Sequence, residues 1–509
     1  MSKQEGEAPE LVLIEQRLKK LEAIRELGYD PYPYRFQPTC SSPQLRESFD
    51  ALEASREEVS LAGRLVVVRG HGKAAFADIR DGEGRFQIYV KLDIVGEETF
   101  ALWKLLDIGD FLGVTGTLFR TRTEEMTIQV QELRVLSKSI RPLPVPKEEI
   151  RDGKRVVHDQ FTDKELRYRK RYLDLALNQD VREVFRKRSA VITAIRQFLD
   201  GRGFLEVETP TLQPIYGGAS ARPFTTHHNA LDMQLYLRIS DELYLKRLIC
   251  GGFERVYEIC KDFRNEGIDR THNPEFTLLE LYQAYADYGD MMEITEQMVS
   301  QVAETVNGST KVTYQGQTVD LSPPWNRISM LEEIGKKGGI DVQSADDTDL
   351  KALCDRLGVE VDDHANRGQL IDEIFDSTVA PDLIQPTFVI DYPLEMSPLA
   401  KRHRSETGLT ERFEPFVCGG EIGNAFSELN DPIDQKSRFE HQMSLKEAGD
   451  AEAQVMDEDY VRALEHGMPP TGGLGIGIDR LVMLLTNSPS IRDVILFPHM
   501  RPEESMGSD

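Results

Sequence analysis

FRNEGIDRTHNPEF, residues Phe263 to Phe276, is the stretch on which the reading of this chain turns. Arg264 and Glu266 stand two apart, the spacing that puts two side chains on one face of a strand. A short polar loop follows, then His272-Asn273-Pro274 and a second apolar run. Such a hairpin offers fixed cations, a carboxylate and an aromatic ring to one compact ligand. An exposed hairpin with a charged tip has the same local sequence, so the surrounding stretches must decide.

Two of them bear on phosphate chemistry. In TGGLGIGIDR, Thr471 to Arg480, Gly473, Gly475 and Gly477 alternate with Leu474, Ile476 and Ile478. As a strand this has one apolar face and one almost bare. The bare face lets a flat ligand lie against the backbone, with the Arg480 guanidinium beside it; a close-packed core strand reads the same way. In FEPFVCGGEIGNAFSELND, Glu414 and Glu421 are separated by seven positions, with Gly419-Gly420 between them to kink or bulge a strand. Carboxylates converging there suit magnesium, a hard ion usually shared with substrate phosphates. Neither a GxxxxGKS/T loop nor a GxGxxG turn opening a helix is present, which leaves P-loop and dinucleotide folds unsupported.

At 509 residues the chain is too long for one core, so two or three domains are expected. Residues 1–58 form an N-terminal extension with helical spacing in LVLIEQRLKKLEAIRELGYD. Residues 59–140 hold five β-rich segments broken by glycines and acidic turns, which fits an OB-fold barrel, a common nucleic-acid platform. RPLPVP begins a linker over 141–180; a larger domain mixing helices and strands covers 181–500, with a charged helical insertion near 328–380 and a tail from 501 to 509. No apolar run approaches a membrane span, and the polar, acidic N-terminus is no signal peptide. Cysteines 40, 250, 260, 354 and 418 form no CxxC pair, which points to a reducing compartment and a cytoplasmic location. The net charge of −26 disfavours nucleic acid globally, but binding follows local potential. Two basic runs, KELRYRKRY from Lys164 and RKRSA from Arg186, read as solvated helix faces or as RNA contacts.

Taken together these stretches resemble the class II aminoacyl-tRNA synthetases, and among them the lysyl-tRNA synthetases of bacterial type. GFLEVETPTL (203–212) resembles the first class motif, FRNEG with HNPEF the second, and GLGIGIDR the third, with Asp479 where many relatives carry glutamate. The class I signatures HIGH and KMSKS are absent. YGGASARPF (216–224) is a lysine-type sequence, and RISDELYLKRL lacks the QSPQ-like sequence of the aspartyl branch. The resemblance implies an α+β architecture: an N-terminal OB-fold barrel, then a class II catalytic domain on an antiparallel sheet flanked by helices.

It also implies roles. Arg264 and Arg480 are the expected catalytic cations, with Arg264 on the α-phosphate and the substrate carboxylate. Glu266, His272, Asn273, Phe276, Asn424 and Arg480 are expected to hold ATP, with adenine between Phe276 and Arg480, and Glu414 and Glu421 to carry Mg2+. The lysine side would be Gly218, Glu242, Arg264, Glu280, Tyr282 and Glu428. Alternation along FTLLELYQAY puts Phe276, Leu278, Glu280 and Tyr282 on one side. An ammonium near a carboxylate gains roughly 4 kcal/mol at intermediate dielectric before desolvation is counted. At the barrel, Phe76 and Gln87 match a stacking aromatic and a base-reading amide at the anticodon, with Arg80, Phe86 and Glu132 as further candidates. The implied partners are tRNA(Lys), ATP, L-lysine and a second copy of the chain joined through the first motif. Three alternatives remain open: an aspartyl or asparaginyl enzyme, a paralogue that transfers lysine to a protein, and a non-catalytic tRNA-binding paralogue.

Overall fold

The structure, a computed structural model, describes residues 3–503 apart from 71, 145–146, 152–153, 159–160, 363–364, 448 and 450–452. Residues 504–509 of the expected tail lie outside the described residues. Two compact units divide the chain, residues 1–162 and 163–509.

In the first unit the helix α1 (Lys3–Glu26) precedes five strands, β1 (Val59–Arg69), β2 (Ala74–Arg80), β3 (Arg85–Lys91), β4 (Phe111–Arg120) and β5 (Met126–Ser137). They close into a barrel in the order β1-β2-β3-β5-β4, the OB-fold arrangement. Period-two patterning builds it: Phe86, Ile88 and Val90 point inward and are buried, while Gln87 and Tyr89 between them are half-exposed. Helix α2 (Leu92–Leu105), interrupted at Gly96, adds Phe100, Leu102 and Trp103 to the core.

In the second unit, helix α3 (Gln179–Asp200) leads to the strand β6 (Leu205–Glu206), helix α4 (Glu242–Cys250) and the long hairpin of β7 (Arg255–Phe263) and β8 (Glu275–Ala284). Helix α5 (Tyr288–Asn307) and the strand β9 (Asn326–Ser329) follow. Three helices come next, α6 (Met330–Gly338), α7 (Asp347–Leu357) and α8 (Arg367–Thr378), then the strands β10 (Thr387–Ile390), β11 (Arg412–Val417), β12 (Gly420–Glu421), β13 (Gly423–Ser427) and β14 (Thr471–Gly477), and helix α9 (Ile478–Thr486). The sheet runs β9-β10-β11-β13-β14-β8-β7-β6, with β12 paired to β11. Its centre is antiparallel as expected, but β9–β10 and β6–β7 are parallel, so the sheet is mixed at both edges. A parallel pair needs a crossover, and α6 to α8 supply it between β9 and β10 around their own core of Ile334, Leu353, Ile371 and Phe375.

Strand periodicity sorts the two faces of the central strands. Leu279 and Leu281 of β8 and Leu474 and Ile476 of β14 enter the core formed with α3, α5 and α9. Glu280 and Tyr282, with the glycine backbone of β14, fall on the other face.

Three expectations change. The segment 141–180 is not a bare linker: it contains a two-stranded pair and the helices Lys164–Arg169 and Arg171–Leu177. The basic run there is only partly a solvated face: Lys164 and Lys170 are exposed, but Arg171 is buried, pairs with Asp174 at 2.7 Å and donates to the carbonyls of Arg492, Ile495 and Leu496. Between Glu414 and Glu421 the chain does not bulge. Cys418 (φ 52°) and Gly419 (φ 76°) make a two-residue hairpin turn between β11 and β12, with both central residues left-handed.

Candidate active site

A cavity of about 350 Å³ opens on the polar face of the central strands. All fourteen residues assigned to ATP, metal or lysine from the sequence line it: Gly218, Glu242, Arg264, Glu266, His272, Asn273, Phe276, Glu280, Tyr282, Glu414, Glu421, Asn424, Glu428 and Arg480. Register explains the convergence. Gly475 lies opposite Glu280 on one side and Asn424 on the other, and Gly473 lies opposite Tyr282 and Phe426. The three strands thus aim their side chains over one glycine floor. A Cβ on Gly473 would stand 2.0 Å from Glu428 Oε1 and 2.5 Å from Tyr282 Cε1, so only glycine fits there.

At one end of the cavity sit carboxylates. Glu280, 5% exposed, accepts hydrogen bonds from the Ser240 hydroxyl at 2.9 Å and the Tyr282 hydroxyl at 2.8 Å. Burial, then the charges of Glu242 and Asp262, push its carboxyl up to about 8. Glu242, at the start of α4, and Glu428, just past β13, both pair with the fully buried ammonium of Lys246. Burial opposes that charge, but Glu242 and Glu428 hold it well above the ordinary lysine range. Gly218 closes this end: at φ +87° its Cβ would meet Ser240 Oγ at 2.8 Å.

At the other end the cations gather. Arg264 and Glu266 do not lie on a strand, because β7 ends at Phe263 and the chain turns, with Glu266 N donating to Arg264 O at 2.9 Å. The Arg264 guanidinium stands 5.0 Å from the Phe276 ring centre. His272 is tied to Asp269 at 2.8 Å. Burial works against it, but hydrogen bonds from His272 and from the backbone N–H of Thr271 bring the Asp269 carboxyl down to about 2. Arg480 donates to the carbonyl and the carboxylate of Glu421, each at 2.9 Å. Glu414 accepts from Arg412 at 2.5 Å and from the Tyr392 hydroxyl at 2.9 Å. Burial pushes it up to about 7 despite Arg412, with the nearby charge of Glu421 adding to the rise. Two mutually repelling carboxylates with hard oxygen atoms are the donor set a divalent cation satisfies.

Buried groups left unpaired point to a ligand. Among the described residues, Arg264 Nε, Asn273 Oδ1 and Glu428 Oε1 have no hydrogen-bond partner, and all three residues line the cavity.

Four participants had no assignment from the sequence. Ser240 and Lys246 sit in an ordinary-looking helix start and helix, with no local signal. Arg412 stands two before Glu414, the same Arg-x-Glu spacing that singled out Arg264, and that pattern was the available clue. Asp479 is buried, accepting from Thr277 N at 2.6 Å and from Arg188 at 2.5 Å, which ties the head of α9 to the start of β8.

On the barrel, Phe76 is half-buried and packs on Tyr89 with ring centres 4.6 Å apart, and Tyr89 reaches Phe119 at 5.9 Å. Gln87 shares this outer face, held by Arg69 at 2.9 Å and Thr127 at 2.8 Å, and Arg80 lies four positions along β2 from Phe76. Phe86 does not belong to it: at 1% exposure its ring fills the barrel core, because alternation turns it away from Gln87. Glu132 is exposed on β5, three positions along the strand from Gln129, which lies across Tyr89 from Phe76.

Comparison with known proteins agrees with this geometry. Residues 163–501 match the family of class II tRNA synthetases (D, K and N), and residues 59–136 match the OB-fold nucleic acid binding domain. The chain is similar to the lysine--tRNA ligase of Moorella thermoacetica, 56% identical over 97% of this chain and 98% of that protein. It is similar also to those of Pelotomaculum thermopropionicum (55%, covering 97% and 95%) and of a Thermoanaerobacter species (54%, covering 96% and 96%). No described helix is long and apolar enough to cross a membrane.

Proposed function

The chain belongs to the class II tRNA synthetases (D, K and N), and from that premise we propose that it ligates L-lysine to tRNA(Lys) through a lysyl-adenylate, releasing AMP and pyrophosphate. The observation that carries the amino-acid choice is the buried Glu280 with Tyr282 and Glu428 at the closed end of the cavity. A lysine ammonium pairs with Glu280, whereas an aspartate or asparagine side chain would leave that buried carboxylate without a counter-charge, a penalty that discriminates strongly.

The lysine carboxylate is ionised at neutral pH, so no general base is required. The residues must hold it in line with the α-phosphorus and spread charge in the transition state. Arg264 spans the α-phosphate and the lysine carboxylate, and its unpaired Nε supports that role. Glu242 takes the α-amino group. Phe276 and Arg480 enclose adenine, with Glu266, Asn273 and Asn424 on the nucleoside and His272 on the outer phosphates. Glu414 and Glu421 would hold Mg2+, which would supply positive charge beside the outer phosphates. The tRNA's terminal hydroxyl then takes the lysyl group, and the Phe76–Tyr89 face with Gln87 receives the anticodon.

A homodimer through residues 203–212 is supported by Leu205 and Leu212, each 47% exposed. Five free thiols support a cytoplasmic, reducing setting. The test is ATP–pyrophosphate exchange against all twenty amino acids. Exchange dependent on lysine supports the proposal; exchange driven by aspartate or asparagine, or none from folded protein that binds tRNA, overturns it.

A further inference from the structure

Behind the lysine end of the cavity, and sharing Glu280 with it, lies an acidic cluster whose other members have no assigned part in the reaction. Asp241 and Asp262 are both fully buried, and Glu258 and Cys260 lie beside them, the first 4% and the second 7% exposed. One oxygen each of Asp241, Asp262 and Glu280 lie within 4.8 Å of one another, and Asp241, Glu258 and Cys260 form a second such group. Glu258 is accounted for: it pairs with Arg238 at 2.7 Å and accepts from Thr209 N and its hydroxyl at 3.0 and 2.8 Å. Asp241 is not. Neither of its oxygens has a hydrogen-bond partner among the described residues, nor does Asp262 Oδ2. Burying one ionised carboxylate without partners is already costly, and here Asp241 also faces Asp262 and Glu280.

We propose that Asp241, Asp262 and Glu280 form a binding site for a divalent oxygen-seeking cation, separate from the one at Glu414 and Glu421. The three carboxylates carry hard oxygen donors. Ligand oxygens around Ca2+ or Mn2+ lie at most about 4–5 Å apart across the ion, so the observed spacing needs little closing. Charge gives the same answer. Arg238 pairs with Glu258 and stands 3.4 Å from Asp262 Oδ1, while among the described residues Asp241 has no cation paired with it. A soft, sulfur-seeking ion fits less well. Cys260 is not among the three, so the donor set is all oxygen.

The inference does not depend on lysine being the substrate, because binding is measured without lysine, ATP or tRNA. Mn2+ is titrated into the full chain carrying E414Q and E421Q, which removes the other carboxylate pair, and bound ion is read by electron paramagnetic resonance. One Mn2+ per chain is expected, displaced by Ca2+, with affinity weakened at least about tenfold by adding either D241N or D262N. Anomalous scattering from crystals soaked in Mn2+ locates the ion with no change in the cluster, and the peak is expected between Asp241 and Asp262. No Mn2+ on the E414Q/E421Q chain, unchanged affinity in both added variants, or a peak elsewhere overturns the site and leaves the carboxylates sharing protons instead.

Discussion

Replacing Glu280 by glutamine changes the lysine end of the cavity with the least disturbance of shape. Glu280 is nearly inaccessible and its two oxygens accept from Ser240 and Tyr282, hydroxyls that can reorient toward an amide. The loss is therefore chiefly that of a negative charge opposite the substrate ammonium. Removing one partner of a buried, hydrogen-bonded charge pair costs about 2–5 kcal/mol, and the isosteric amide keeps the effect in the lower part of that range. At about 1.4 kcal/mol per decade, E280Q should lower kcat/KM for lysine roughly 30- to 300-fold. Lysine-dependent ATP–pyrophosphate exchange reads this directly, with the KM for ATP expected to stay within about twofold because Glu280 lies at the opposite end from Arg480 and Glu421. An unchanged lysine KM, or a matching loss for ATP, would refute the assignment of Glu280 to side-chain selection.

The same carboxyl makes a prediction about pH. Its folded value of about 8 exceeds the unfolded one of about 4.3, so the folded chain holds this proton longer. Its contribution to stability is present at low pH and is lost as pH rises through about 8, while lysine affinity, which needs the ionised form, climbs over the same interval and levels off above it. Calorimetric titration of lysine between pH 6 and 9 checks this, and E280Q should flatten the dependence. Gly473→Ala places a methyl group against Glu428 and Tyr282 and should abolish lysine-dependent exchange without unfolding the chain by circular dichroism; normal exchange would sink the packing argument. Asp479→Asn leaves one of two donors, Thr277 N or Arg188, without an acceptor and should cost about 1–3 kcal/mol of stability in denaturant unfolding. Phe76→Ala should raise the KM for tRNA by roughly 5- to 150-fold, the worth of one stacked base, with exchange intact; equal loss of both activities would count against the barrel face.

What was legible in the sequence followed from periodicity. Alternation in β8 and β14 places Glu280, Tyr282 and the glycine floor on one face, and the five-strand pattern of the barrel is equally plain. What was not legible depends on long-range pairing. Nothing near Lys246 reveals that Glu428, 182 positions on, will meet it (428 − 246). Phe86 and Phe76 have similar neighbourhoods in sequence, and only strand register turns one inward and the other outward. The turn at Cys418-Gly419 hid for the opposite reason, since a glycine pair suits a bulge as readily as a hairpin and only the pairing of Phe416 with Glu421 separates them.

Lys246 bears on how far this pocket could be re-purposed. Its ammonium is fully enclosed and owes its charge to Glu242 and Glu428. A library that neutralises Glu428 to admit an uncharged lysine analogue would strand that cation with a single partner, and one that also alters Glu242 would strand it altogether. Variants selected for new amino acids should therefore carry compensating changes at position 246, and single-site libraries around Glu428 should return mostly poorly folded or inactive chains.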